Sequence, residues 1–253
     1  LEVLFRWTHV VAGVLWIGLL YFFNFVNASF AKSLDADSKT KVVPELLPRV
    51  LYFFRWGAVY TWVSGVLLLA LVYYHRHQLA GGAFSEVVTM SALVALFVLG
   101  PMIYDLLWKA MAKHESAGVV VSFLLLVGAM AGMQYGLNVP GRALYMHVGA
   151  LLGTAMAMNV WMRIWPAQRR IIAAIKAGKA PDAADPAMAG LRSKHNTYMS
   201  VPLLFIMVSN HSAGLYGFQE DKGWLILAGL VVLGWAVVKL LYKKSVGEAP
   251  KTF

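Results

Sequence analysis

The segment Ala117–Tyr135, AGVVVSFLLLVGAMAGMQY, decides the fold class because it carries no charged residue over a length that can cross a lipid bilayer. An α-helix needs about 20 mostly apolar residues to span the hydrocarbon layer. Lipid offers no hydrogen-bond partners, and a helix pairs all its backbone polar groups internally. The alternative, a strand of a membrane barrel, would alternate between polar and apolar residues, and this segment does not. The segment therefore predicts a transmembrane helix.

Segments of the same kind recur on both sides of it, and together they predict an all-α, polytopic transmembrane bundle of about seven helices. The predicted spans are Val3–Phe30, Val50–Tyr74, Val87–Met111, Ala117–Tyr135, Arg142–Trp165, Lys194–Leu215 and Trp224–Tyr242. Of the 253 residues, 60% are hydrophobic and 13% charged, which excludes an ordinary soluble domain. The first segment begins almost at Leu1, and we interpret it as a retained span rather than a signal peptide. A single transmembrane domain, 1–253, then accounts for the chain.

Basic residues are distributed unequally between the two predicted sides of the membrane. Only Arg6, Arg76, Arg142 and Lys222 fall on one side, and the remaining eighteen of the 22 Lys and Arg residues fall on the other. Under the positive-inside rule, the N-terminus is outside, and the C-terminus and the long connection 166–193 are cytoplasmic. We expect a multi-pass protein of the bacterial inner membrane. Its net charge of +10 then indicates contact with anionic membrane lipids, and not with nucleic acid.

The absence of cysteine limits the cofactors that the chain can hold. The sequence contains none, which excludes disulfides, thiolate metal sites, iron–sulfur clusters and covalently attached c-type haem. A redox cofactor would have to be held by other side chains, histidine first among them.

Three of the seven histidines fall at one predicted depth below the outer surface. His9 and His147 lie about five residues into their spans, and His211 lies about four residues from the outer end of its span, at about 1.5 Å per residue. Imidazole is a common axial ligand of haem iron, and a helical bundle can hold a porphyrin between facing helices. Arg6 and Arg142 precede two of these histidines by about one turn and could meet the propionates. We therefore predict one b-type haem ligated by two of the three histidines; polar side chains bonded to backbone carbonyls are the alternative.

A second polar group lies at the predicted inner boundary. Its members on the sixth span are Lys194, His195, Asn196 and Tyr198. Ionisable groups inside a membrane are costly and therefore indicate function with a partner, and we expect Arg55 and Asp105 on the second and third spans to form such a pair at a similar depth. Anchoring of the helix end, with one interior ion pair, is an equal alternative. Beside His147, the small residues Gly149 and Gly153 are expected to let a macrocycle or a neighbouring backbone approach closely.

The chain resembles the membrane domain of bacterial membrane-bound urate hydroxylases, the urate oxidase N-terminal domain family, in two stretches. These are RWTHVVAGVLWIG at Arg6–Gly18 and KHNTYMSVPLLFIMVSNH at Lys194–His211. The resemblance implies oxidation of urate at the membrane, with electrons leaving to cytochrome c. It carries over His9, His147, His195 and His211 as candidate ligands or substrate contacts. In that family a C-terminal c-type cytochrome follows the membrane domain; this sequence has no CxxCH motif, so we expect the acceptor to be a separate cytochrome c or other redox subunit, or to be absent.

Three functions are consistent with these features. The first is a haem-b-binding membrane electron-transfer protein, with an oxidoreductase version in which His195, Asn196 and Tyr198 bind a flat anionic purine and Lys194 matches its charge. The second is a non-catalytic subunit of a larger respiratory or photosynthetic complex. The third is a small-molecule transporter, although Pro202 alone hints at the broken helices of such folds.

Overall fold

The computed structural model of the chain describes residues 1–79, 84–209, 211 and 222–245, and all regular structure in these residues is helical. The described helices are α1 (Glu2–Ser33), α2 (Ala36–Tyr74), α3 (Glu86–Ala110), α4 (Glu115–Gly136), α5 (Gly141–Lys176), α6 (Ala184–Ser209) and α7 (Gly223–Ser245). The predicted all-α fold with about seven helices is thereby confirmed. Position 210 and positions 212–215 of the sixth predicted span lie outside the described residues.

Among the described helices, α6 differs from the other six in its polarity. Those six are long and apolar enough to cross a membrane, which supports a multi-pass membrane protein. Helix α6 begins at Ala184, ten residues before the predicted start at Lys194. Its polar side chains Arg192, Asn196 and Ser200 are at most 1% exposed, so they face protein and not lipid. The direction of the chain across the membrane stays a prediction.

Four of the described helices contain a π-helical turn. The turns are Phe22–Asn27, Ala70–Tyr74, Gly132–Gly136 and Asn159–Ile164. A π turn adds one residue to the turn and so shifts the following side chains around the helix axis. Each turn carries a polar side chain that bonds to another helix, namely Asn24, Tyr74, Gln134 and Asn159. The π turns therefore position the polar contacts between helices.

The chain groups into two compact units. Unit 1 comprises Leu1–Arg6, Ser64–Ala155 and Pro202–Leu233, and unit 2 comprises Trp7–Val63, Met156–Val201 and Gly234–Phe253. In unit 1, a Cβ atom at Gly149 would lie 2.8 Å from Cγ2 of Ile206, whereas one at Gly153 would meet nothing within 4 Å. In unit 2, a Cβ atom at Gly57 would lie 3.3 Å from Cβ of Trp16. Gly149 thus lies against neighbouring side chains, whereas Gly153 has open space, and the approach of a macrocycle to either glycine stays a prediction.

The predicted connection 166–193 is largely helical. Helix α5 continues through it to Lys176, and α6 begins at Ala184, so that 177–183 join the two helices. Across this joint, Nε of Arg170 donates to both carboxylate oxygens of Asp185, at 3.0 and 2.9 Å. These hydrogen bonds and the charge of Arg170 hold the pKa of Asp185 below its ordinary 3.8. The cytoplasmic position of this segment and the single domain over 1–253 stay predictions.

Candidate functional site

His147 is a buried histidine of unit 1 whose two ring nitrogens have defined partners. The side chain is 4% exposed, and Nδ1 lies 2.7 Å from the carbonyl oxygen of Ala143, one turn earlier on α5. Nε2 lies 3.2 Å from the hydroxyl oxygen of Tyr74, and the Tyr73 ring meets the imidazole edge to face at 5.7 Å. Because a carbonyl oxygen only accepts, Nδ1 carries the proton, and Nε2 therefore accepts from Tyr74. The ring is fixed with the lone pair of Nε2 pointing at this hydroxyl.

His9 shows the same hydrogen-bond pattern in unit 2. Its Nδ1 lies 2.8 Å from the carbonyl oxygen of Thr61 on α2. The hydroxyl of Thr61 donates in turn to the carbonyl oxygen of Gly57 at 2.7 Å. Nδ1 of His9 is again the donor, so Nε2 carries the lone pair. Two of the three predicted ligands thus have the same tautomer.

The other residues predicted around a haem have different surroundings. His211 is exposed, in a turn just beyond the end of α6. In unit 1, Nη2 of Arg6 lies 2.7 Å from a carboxylate oxygen of Glu2, which also pairs with Arg76 at 2.6 Å. Arg142 is exposed. Whether two of the predicted histidines meet around one haem, with Arg6 and Arg142 on its propionates, stays a prediction.

A buried amide cluster in unit 2 joins α5 to α6. Nδ2 of Asn159 donates to Oδ1 of Asn196 at 2.8 Å, and Nδ2 of Asn196 donates to the carbonyl oxygen of Met156 at 3.0 Å. Nη1 of Arg192 reaches Oδ1 of Asn159 at 3.5 Å. All three polar side chains are at most 2% exposed. Asn159 and Arg192 were missed by the sequence reasoning, although Arg192 precedes Asn196 by four residues and so shares its helix face.

A second, half-buried cluster of unit 2 joins α6 to α1 and α7. Nδ2 of Asn24 donates to the hydroxyl oxygen of Ser193 at 2.8 Å, and its Oδ1 accepts from the hydroxyl of Tyr242 at 2.9 Å. The ring of Tyr242 stacks on Tyr198, with centroids 5.9 Å apart. This cluster and the amide cluster occupy different faces of α6.

The four side chains predicted to contact substrate therefore lie in different environments. Lys194 is exposed, and His195 is half-buried. Asn196 belongs to the amide cluster, and Tyr198 packs on Tyr242. The structure does not bring all four side chains to one face of α6.

As metal ligands, the side chains of His9 and His147 suit a haem better than a metal ion held by protein side chains alone. Within the described ranges, no group of three or more His, Asp and Glu side chains is placed to hold a metal ion. Haem iron needs fewer protein ligands, because the porphyrin supplies four nitrogens and only one or two side chains bind as axial ligands. A ligating histidine usually donates its other ring N–H to a carbonyl oxygen or carboxylate, which fixes the ring. His9 and His147 have this arrangement on Nδ1.

A known protein family matches most of the chain. The sequence profile of the family described as "Urate oxidase N-terminal" matches residues 35–252, which is most of the chain. His147 and the amide cluster lie inside the matched region, and His9 precedes it. Comparison with curated proteins and with solved structures gave no match.

Proposed function

Because this chain belongs to the urate oxidase N-terminal family, we propose that it is a haem-b-binding membrane protein that takes electrons from urate and passes them to a cytochrome c-type acceptor. The observation that carries the proposal is the tautomer shared by His9 and His147, in which Nδ1 donates to a carbonyl oxygen and Nε2 carries the lone pair. The six apolar helices support its position in a membrane. A position in the bacterial inner membrane is part of the same proposal.

The proposal assigns each histidine a role within its own unit. In unit 2, the Thr61 carbonyl orients His9, whose Nε2 would bind iron. In unit 1, the Tyr74 hydroxyl holds Nε2 of His147, so binding there requires this hydroxyl to move away. Haem b would supply a one-electron redox centre inside the membrane.

Among the predicted substrate contacts, His195 has the surroundings that best suit a flat anion. It is half-buried, and the positive charges of Arg192 and Lys194 act on it. Asn196 and Tyr198 are held by Asn159 and Tyr242, so we assign them to the wall of the site rather than to direct contact. Urate is anionic at neutral pH, and a partly desolvated imidazole beside two cations provides complementary charge.

The haem assignment is tested by a reduced-minus-oxidised absorption spectrum of the purified full chain. We expect the α-band of a b-type cytochrome, and we expect His9→Ala or His147→Ala to remove it. His114→Ala is the matched control, since His114 is exposed at the start of α4, and it should keep the band. A wild-type protein expressed with sufficient haem that shows no α-band would refute the assignment and favour the subunit or transporter alternatives.

The substrate assignment is tested separately on protein that contains haem. Urate should reduce the haem under anaerobic conditions, and His195→Gln should weaken the urate dependence without lowering the haem content. Haem that dithionite reduces and urate does not would contradict the substrate while leaving the cofactor intact.

A further inference from the structure

Two arginines of unit 2 face the same indole ring. Cζ of Arg55 on α2 lies 4.1 Å from the ring centroid of Trp165, and Cζ of Arg169 on α5 lies 5.9 Å from it. The rings of Tyr52, Trp56 and Trp161 also lie within 6.0 Å of Cζ of Arg55. Aromatic faces attract cations but do not neutralise them. Two positive charges therefore share one aromatic surface.

Neither guanidinium group takes part in a hydrogen bond or an ion pair with any residue that the structure describes, and Nε of Arg55 is buried without a hydrogen-bond partner. Neighbouring arginines on the same helices differ. Arg49 pairs with Glu45 at 2.7 Å, and Arg170 pairs with Asp185. Arg55 is half-buried and Arg169 is exposed, and like charges that lie this close, one of them partly desolvated, are unfavourable unless a counter-charge reaches them. Asp105, which the sequence predicts to pair with Arg55, pairs with Lys109 at 3.2 Å instead. The described residues supply no counter-charge to Arg55 or Arg169, which leaves these two arginines suited to an external anion.

An apolar groove of about 420 Å³ runs beside the same aromatic rings. Tyr52 and Trp56 line it together with Trp7 and Val11 of α1 and with Tyr60 of α2. The side chains of Trp7, Tyr52 and Tyr60 are 52–67% exposed, on helices apolar enough to lie in a membrane. Tyr52 and Trp56 thus belong both to the groove and to the rings around Arg55.

We propose that this surface binds an anionic phospholipid, with the phosphate between Arg55 and Arg169 and an acyl chain in the groove. Guanidinium N–H groups match the geometry of phosphate oxygens. The groove suits hydrocarbon, and a soluble anion would leave it empty. Both arginines lie on the side that the basic residues predict to be cytoplasmic, where anionic lipids are enriched. The site is independent of haem.

Native mass spectrometry of the full chain tests the proposal. Detergent-purified protein is incubated with equal amounts of phosphatidylglycerol and phosphatidylcholine that carry the same acyl chains, and the retained lipid is counted. We expect phosphatidylglycerol to be retained in preference. Loss of each charge should weaken its binding about fivefold, and about 25-fold for Arg55→Gln with Arg169→Gln.

Arg49→Gln is the matched control, since Arg49 lies on α2, is exposed and is already paired with Glu45. It should change lipid binding less than about twofold. An equal loss in the control would overturn the proposal in favour of general surface charge. Displacement of the lipid by millimolar inorganic phosphate would show a site for free anions instead. The absence of any preference in the wild-type protein would also refute it, and that measurement does not depend on the variants folding.

Discussion

The hydroxyl of Tyr74 is the hydrogen-bond donor to Nε2 of His147, 3.2 Å away in unit 1. Replacing Tyr74 by Phe leaves a buried acceptor without this donor. We expect the free energy of unfolding of the haem-free protein to fall by about 1–3 kcal/mol, measured by denaturant unfolding in detergent. Tyr52→Phe is the control, since the Tyr52 hydroxyl has no hydrogen bond to any described residue, and it should change stability by less than about 0.5 kcal/mol. Equal losses in both variants would contradict this account.

The side chain of Asn196 is a donor and an acceptor at the centre of the amide cluster. Asn196→Ala removes the partner of Nδ2 of Asn159 and the donor to the carbonyl oxygen of Met156, all of them buried. We expect the free energy of unfolding to fall by about 2–3 kcal/mol. Half-buried Asn27 makes no side-chain hydrogen bond to a described residue, so Asn27→Ala should be close to neutral by the same unfolding measurement. A neutral Asn196→Ala would show that the cluster adds nothing to stability.

For single residues, the sequence indicates candidate ligands but not the groups to which they form hydrogen bonds. His9 and His147 are candidates because they share a predicted depth with His211 and because the family resemblance includes both positions. Their partners Thr61 and Tyr74 lie far away in the sequence. The π turn Ala70–Tyr74 also shifts the angular position of Tyr74 from the one that a regular helix implies.

Two glycines of α5 differ in their distance from the side chains of a neighbouring helix, so alanine at the two positions should affect helix packing differently. Gly149→Ala would place Cβ 2.8 Å from Cγ2 of Ile206, and overpacking of this kind costs about 1–3 kcal/mol. Gly153→Ala, one turn later on the same helix, has open space and gains helix propensity. We expect the first substitution to lower the thermal unfolding midpoint and the second to leave it unchanged or raise it. The reverse order would refute the close contact between α5 and α6.

The joint between α5 and α6 should depend on pH. Because Arg170 lowers the pKa of Asp185 below its ordinary 3.8, this pair stabilises the fold above the unfolded pKa. Its contribution is lost as the pH falls through the lower, folded pKa. We expect Asp185→Asn to melt below the wild type at pH 7 and to lose less of its midpoint on acidification below pH 4. Parallel pH profiles for the two proteins would count against the pair.

Of the elements, the apolar helices could be predicted and the start of α6 could not. An apolar run of about 20 residues has one stable state in lipid, so the spans follow directly from hydropathy. The segment ADPAMAGLRS, 184–193, has no apolar period and looks like a loop. It forms a helix in a setting where Asp185 pairs with Arg170 and Arg192 is buried against Asn159.

For the whole molecule, the eighteen-to-four distribution of basic residues predicts the side of the membrane that each connection faces. The chain has no cysteine, so a maleimide can label it only at a cysteine that is introduced. In intact cells, a membrane-impermeant maleimide should label Gln78→Cys, after α2, and not Lys39→Cys, at the start of α2. Both residues are exposed. Permeabilised cells should show labelling at both positions, and the opposite pattern in intact cells would reverse the predicted orientation.

The grouping into two units could not be predicted from hydropathy, because apolar helices carry little periodicity to show which face meets a neighbour. Composition and charge are properties of segments, whereas the units arise from contacts between distant parts of the chain.

The polarity of α6 also bears on how the chain is inserted during synthesis. A buried arginine is costly unless polar groups of the protein reach it, and Arg192 is accompanied on α6 by the buried side chains of Asn196 and Ser200. The amide side chain that reaches Arg192 is Asn159 of α5, and the ribosome makes α5 before α6. We therefore expect α6 to be inserted against helices that precede it in the chain, and not directly into lipid.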